Sequence, residues 1–79
     1  MNKKAREAPV FIGQIDLDDG KILRIELANY TGARKAVFSI SETRQGETRV
    51  LDGFAIDVKH LPQLQMLTLN ANVRAKIDG

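Results

Sequence analysis

Lys21-Ile-Leu-Arg-Ile-Glu-Leu27 and Lys35-Ala-Val-Phe-Ser-Ile-Ser-Glu-Thr43 decide the fold. In the first stretch Leu23, Ile25 and Leu27 alternate with Arg24 and Glu26. In the second, Ala36, Phe38 and Ile40 alternate with Lys35, Ser39 and Ser41. A period of two is the pattern of a strand with one face on a core and the other in water. The connection, Asn29-Tyr-Thr-Gly-Ala33, supplies Asn and Gly where a turn needs unusual backbone angles. The two stretches therefore read as the arms of one long β-hairpin. Its underside is apolar, and its upper side is polar and partly basic.

Working outward, Val10-Phe-Ile12 is a short apolar strand and Gly13 a bend. Gln14-Ile-Asp-Leu-Asp18 alternates again, and Asp19-Gly20 is a turn into the hairpin. After the hairpin, Arg44-Gln-Gly-Glu47 is a polar loop and Thr48-Arg-Val-Leu51 a further strand. Asp52-Gly53 is a turn or bulge, and Phe54-Ala-Ile56 another short strand. That makes four or five antiparallel strands. Asp57 then has the chemistry of a helix N-cap, since its carboxylate can accept from unpaired backbone N–H groups. Leu61, Leu64, Leu67 and Thr68 recur at helical spacing, with Pro62 tolerable only in the first turn. Asn70 and Asn72 weaken the helical pattern, while Val73 and Ile77 offer apolar positions on an extension. The expected class is α+β: an antiparallel sheet followed by one C-terminal α-helix. Residues 1–8 read as a basic tail with Lys3, Lys4 and Arg6, residues 9–69 as the domain, and 70–79 as a helix extension or tail.

The chain has 79 residues, no cysteine, one histidine and a net charge of +2. One small domain of this size buries only about 60% of the surface its unfolded chain exposes. Neither disulfides nor a Cys/His zinc site can reinforce it, so a homodimer is expected. No apolar run approaches the roughly 20 residues of a membrane span. No signal-peptide core follows the charged N-terminus. An intracellular protein is expected, with no membrane partner.

Asp16, Asp18 and Asp19 invite a calcium reading, but a loop opening at Asp16 has Lys21 where glycine belongs and Leu27 where glutamate belongs. His60 has no nucleophile motif beside it, and nothing marks Ser39 or Ser41 as activated. There is no phosphate loop, HExxH or dinucleotide fingerprint. The expectation is a protein that is not an enzyme, with no metal and no cofactor.

Phe11-Ile-Gly13, Lys21 through Gly32, Gly53-Phe-Ala-Ile-Asp57 and Leu61-Pro-Gln-Leu64, taken in order, resemble the transcriptional positive cofactor four family of single-stranded-DNA-binding domains. The resemblance spans roughly residues 10–69. It implies a curved antiparallel sheet with a C-terminal helix, assembled as a homodimer through the helices and part of the sheet. It further implies grooves for single strands along the exposed β-ridges, little sequence preference, and a role in transcription, replication or repair. Such a protein resides in the cytoplasm or nucleoid of a bacterium or phage-infected cell, or in a eukaryotic nucleus, and can meet the transcription or replication machinery.

Single strands are held by cations that track phosphates and by rings that stack on bases. Tyr30 lies where the family offers a stacking ring, and Lys21 matches a basic residue at the start of its strand. Arg24, Arg34, Lys35, Arg44 and Arg49 are the remaining candidates for a phosphate track. Leu61, Leu64 and Leu67 are the candidates for the dimer contact. The chain departs from the family pattern at Ser39-Ile-Ser-Glu42, where an arginine and an aromatic are usual, and at Leu51-Asp52, where a basic pair is usual. Thr31 and Ala33 stand in place of the turn lysines, and Gln14 to Gly20 reads as an insertion. These departures keep a second reading open: a protein-interaction module on the same fold, with Val37 and Leu51 as exposed apolar contacts.

Overall fold

The computed structural model describes residues 8–78, so the basic cluster Lys3, Lys4 and Arg6 lies outside the described residues. Four strands form one sheet in the order β1 (Val10–Asp16), β2 (Lys21–Tyr30), β3 (Ala33–Arg44) and β4 (Glu47–Asp57). Every neighbouring pair is antiparallel, a simple meander. A 3₁₀ turn, Val58–His60, leads into one helix, α1 (Leu61–Asp78). The class is α+β, as the sequence predicts, with four strands.

The central hairpin is longer and tighter than the sequence suggests. Its arms run on to Tyr30 and Ala33, which pair with each other, leaving only Thr31-Gly32 as the turn. Both turn residues have positive φ, 49° and 81°. A two-residue hairpin turn needs this left-handed pair to follow the twist of its strands. Gln45-Gly46 repeats the arrangement, with φ of 53° and 83°, so Arg44-Gln-Gly-Glu47 is a tight hairpin turn rather than a loop.

Two bulges set which side chains reach which face. In β1 the register passes from Phe11↔Glu26 to Gly13↔Ile25, so Ile12 is the extra residue and Gly13 does not interrupt the strand. In β4 it passes from Ile40↔Asp52 to Ser41↔Val50, so Leu51 is the extra residue. The Asp52-Gly53 signal therefore marks a bulge inside one continuous strand, and there is no fifth strand among the described residues. A bulge inverts the inside–outside parity beyond it. Of the suspected insertion, Gln14–Asp16 belongs to β1, and only residues 17–20 form a connection.

One face carries Ile15, Leu23, Ile25, Leu27, Ala36, Phe38, Ile40, Phe54 and Ile56 by register. Phe38 and Phe54 pair directly across β3 and β4, with centroids 4.8 Å apart and planes at 9°. Such a stacked pair is worth about 0.5–1.5 kcal/mol beyond its buried area. This face is nonetheless uncovered in the single chain. Ala36 is the one buried apolar residue among those described, and Phe54 is 58% exposed.

The helix explains why. It packs chiefly on the 3₁₀ turn before it and does not lie across the sheet. The radius of gyration is 15.7 Å, against about 12 Å for a compact chain of this length. Helix propensity carries Leu61–Asp78 through Asn70 and Asn72 without a break, aided by an Arg74–Asp78 ion pair at 3.4 Å one turn apart. Residues 70–78 are thus continuous helix. Asp57 sits at the cap position of the 3₁₀ turn, but its carboxylate makes no capping bond there. Lys35 Nζ donates to Asp57 Oδ1 at 2.7 Å instead, which corrects the sequence-derived N-cap.

Candidate nucleic-acid interface

The register divides the sequence-predicted residues between the two faces of the sheet. Arg24, Tyr30 and Lys35 share the polar face with Glu26, Ser39, Val37, Ala55 and Asp57. Lys21, Arg34, Arg44 and Arg49 fall by register on the other side, with Glu42. They do not form one track. Parity along the two hairpin arms puts Tyr30 with Arg24 and already separates Lys21, Arg34 and Arg44 from Arg24 and Lys35; Arg49 alone lies past the β4 bulge, where parity fails.

On the polar face, Tyr30 ends β2 beside the Thr31-Gly32 turn and is 49% exposed. Arg24 Nε lies 3.2 Å from Glu26 Oε2, two residues along the same strand. Lys35 is partly buried and held by Asp57 across the β3–β4 ladder. The row Gln14, Arg24, Ser39, Gly53 descends from long side chains on β1 and β2 to none on β4. This gives the face a low floor at its β4 side.

On the opposite face, near the Gln45-Gly46 turn, Glu42 is 6% exposed. Arg44 Nε donates to its Oε2 at 2.5 Å, and Arg49 Nη2 stands 3.9 Å from its Oε1. Both guanidiniums are otherwise well exposed. Lys21, opposite Glu42 in the ladder, adds positive potential. Arg34 has no ion pair among the described residues and is exposed. The chain's own carboxylates thus engage Arg24, Lys35, Arg44 and Arg49. Arg24–Glu26 is an exposed pair, worth only about 0–1 kcal/mol. The Glu42 carboxylate, by contrast, is nearly buried, so drawing Arg44 or Arg49 away to a phosphate leaves a buried charge with fewer partners.

Two carboxyls titrate below their ordinary range. The hydrogen bond from Arg44 lowers Glu42, with further help from the charges of Arg44, Lys21 and Arg49. The hydrogen bond and charge of Lys35 lower Asp57, with Lys59 and His60 adding to them. A carboxyl whose folded pKa is depressed contributes stability above its unfolded value, and that contribution fades as pH falls through the folded value. The stability gap between wild type and Asp57→Asn is therefore expected to be widest above about pH 5 and to narrow progressively as pH falls below about 4, through the depressed folded value. Urea unfolding at a series of pH values measures it. A gap that stays constant with pH would show that Lys35 and Asp57 do not interact in solution.

The other sequence-derived residues are quickly placed. His60 lies exposed in the 3₁₀ turn. Asp16, Asp18 and Asp19 do not gather: no group of three or more His, Cys, Asp or Glu that could hold a metal occurs among the described residues. Among those residues, no helix is long and apolar enough to cross a membrane. Leu61 and Leu64 are partly covered, whereas Leu67 is open to solvent. Val37 is partly buried on the polar face, and Leu51 stands exposed at the bulge.

Sequence reasoning passed over Phe11. The Ile12 bulge turns its ring onto the polar face, opposite Glu26, and Arg24 Cζ lies over it at 4.8 Å from the ring centroid. Gly13 inside a strand was the available signal, since such a glycine often marks a bulge. Compared with known proteins, the chain matches no family model, no curated protein and no solved structure.

Proposed function

We propose that the chain is a non-catalytic, largely sequence-independent single-stranded-DNA-binding protein that works as a homodimer in transcription regulation, replication or repair. The observation that carries this reading is the polar sheet face, where the exposed Tyr30 ring lies on the same side as the exposed Arg24, six residues along β2, and the partly buried Lys35. A sheet face with an exposed ring and cations suits an unpaired strand, whose bases are free to stack. A duplex hides its bases, and its major groove calls for an inserted helix or ribbon. The one described helix brings only Arg74 and Lys76 as cations. The resemblance to the positive cofactor four family and the α+β order of elements support the same reading.

Fluorescence anisotropy of a labelled single-stranded oligonucleotide, titrated at several salt concentrations beside the matching duplex, tests it. The single strand is expected to bind more tightly than the duplex and to weaken as salt rises. Tyr30→Ala is expected to cost about 5- to 150-fold in single-strand affinity, because a base–ring stack is worth roughly 1–3 kcal/mol. Absence of single-strand binding at low salt would overturn the reading. Pairing of Arg24, Lys35, Arg44 and Arg49 by the chain's own carboxylates favours, in that event, a protein-interaction module on this fold.

A further inference from the structure

Phe11 is out of place for a core residue. Its strand neighbours Val10 and Ile15 fall on the apolar face, but the extra residue Ile12 puts the phenyl ring on the polar one, where it is 49% exposed. The ring is not left bare, however. The Arg24 guanidinium lies over it, and Glu26, directly opposite Phe11 in the ladder, holds Arg24 Nε at 3.2 Å.

Two contacts fix that guanidinium: a ring beneath and a carboxylate beside it. The ion pair offsets its charge, so Arg24 is less suited to a phosphate than an unpaired cation would be. Its side chain is 47% exposed, so the guanidinium can be reached from solvent. Guanidinium planes stack on aromatic rings and on bases alike, which a lysine ammonium does not do. The arrangement is therefore a flat surface of low net charge on the same sheet face as Tyr30. Tyr30 lies four residues along β2 from Glu26, roughly 13 Å at the rise of an extended strand.

The geometry points to Phe11 and Arg24 as a composite stacking platform for an unpaired nucleobase, separate from Tyr30, with Glu26 as the positioning residue that keeps the guanidinium over the ring. This rests on the single-strand reading above and assigns Arg24 a different role within it, as a stacking plane rather than a phosphate contact.

The test uses the whole chain and two labelled probes, oligothymidylate and an abasic strand of equal length. Phe11→Leu keeps the apolar bulk but removes the flat ring, and Arg24→Lys keeps the charge but removes the plane. Each is expected to weaken oligothymidylate binding about tenfold, to leave the salt slope as in wild type, and to leave abasic-strand binding unchanged. A phosphate role for Arg24 predicts the opposite: Arg24→Lys binds as wild type, and Arg24→Ala flattens the salt slope by about 0.7. That result would overturn the platform, as would wild-type affinity in Phe11→Leu or an equal loss on both probes. Equal loss would mean that Phe11 only supports the strand. If wild type binds neither probe, the single-strand reading itself fails, and the platform with it.

Discussion

Gly53→Val is expected to destabilise the protein by about 3 kcal/mol, and Gly53→Ala by about 1–2 kcal/mol. Strand propensity alone predicts the reverse, since valine is among the best strand formers and glycine among the poorest. Sterics decide the sign. A Cβ on Gly53 would stand 2.9 Å from the Phe38 carbonyl oxygen and 3.6 Å from Ser39 Cα. Both are backbone atoms of the neighbouring strand, so no side chain can swing aside. Relief requires β3 and β4 to part next to the Leu51 bulge, where the Phe38–Phe54 stack also sits. Gly13 is the internal control: nothing lies within 4 Å of its Cβ position. Gly13→Ala is accordingly expected to be neutral or to stabilise by up to about 1 kcal/mol through the unfolded chain. Urea unfolding of all variants at one protein concentration makes the comparison. A Gly53→Val protein as stable as wild type would mean that the two strands are not held this closely.

The contrast between these glycines bears on how much a reader of the sequence can see. The alternation of Leu23, Ile25 and Leu27 against Ala36, Phe38 and Ile40 fixes the central hairpin, because a period of two survives any choice of partner. The strands beyond each bulge are a different matter. Val50 alternates correctly with Phe54 and Ile56, yet the extra residue Leu51 sends it to the polar face opposite Ser41. The same inversion hides Phe11. Bulges depend on how two strands meet, which a linear pattern does not encode. Ion pairs are illegible for the same reason. Lys35 and Asp57 lie 22 residues apart and meet only through the β3–β4 register. The cation cluster suggested by proximity in sequence is, in the fold, two sets on opposite faces. The helix was legible at its start and not at its end: Asn70 and Asn72 are poor helix formers, but the leucines before them and Ala71, Ala75 and Lys76 around them outweigh that cost.

Leu67→Asp is expected to raise the dissociation constant of the proposed homodimer by about two to four orders of magnitude. At 3.6 residues per turn, the helix carries apolar residues on two sides. Leu61, Leu64, Leu67, Ala71 and Ala75 form one stripe, and Met66, Leu69, Val73 and Ile77 form the other. A helix apolar on both sides belongs between two surfaces, and in the single chain it has neither. Leu67 is 66% exposed there, and the apolar sheet face with Phe54 is open as well. In the proposed homodimer a second copy would supply both missing surfaces at once, a helix and an apolar sheet face, and a two-fold axis would make each substitution count twice. Burying one leucine contributes about 1.5–3 kcal/mol, so losing two costs about 3–6 kcal/mol of association. Because Leu67 is largely exposed in the isolated chain, the aspartate costs that chain little, and the loss is read in assembly rather than in folding of the sheet. Sedimentation velocity over a concentration series is the measurement. Wild type that sediments as a monomer at micromolar concentration, or a Leu67→Asp variant that associates like wild type, would remove the helix from the interface. The uncovered sheet face would then have to meet a different partner.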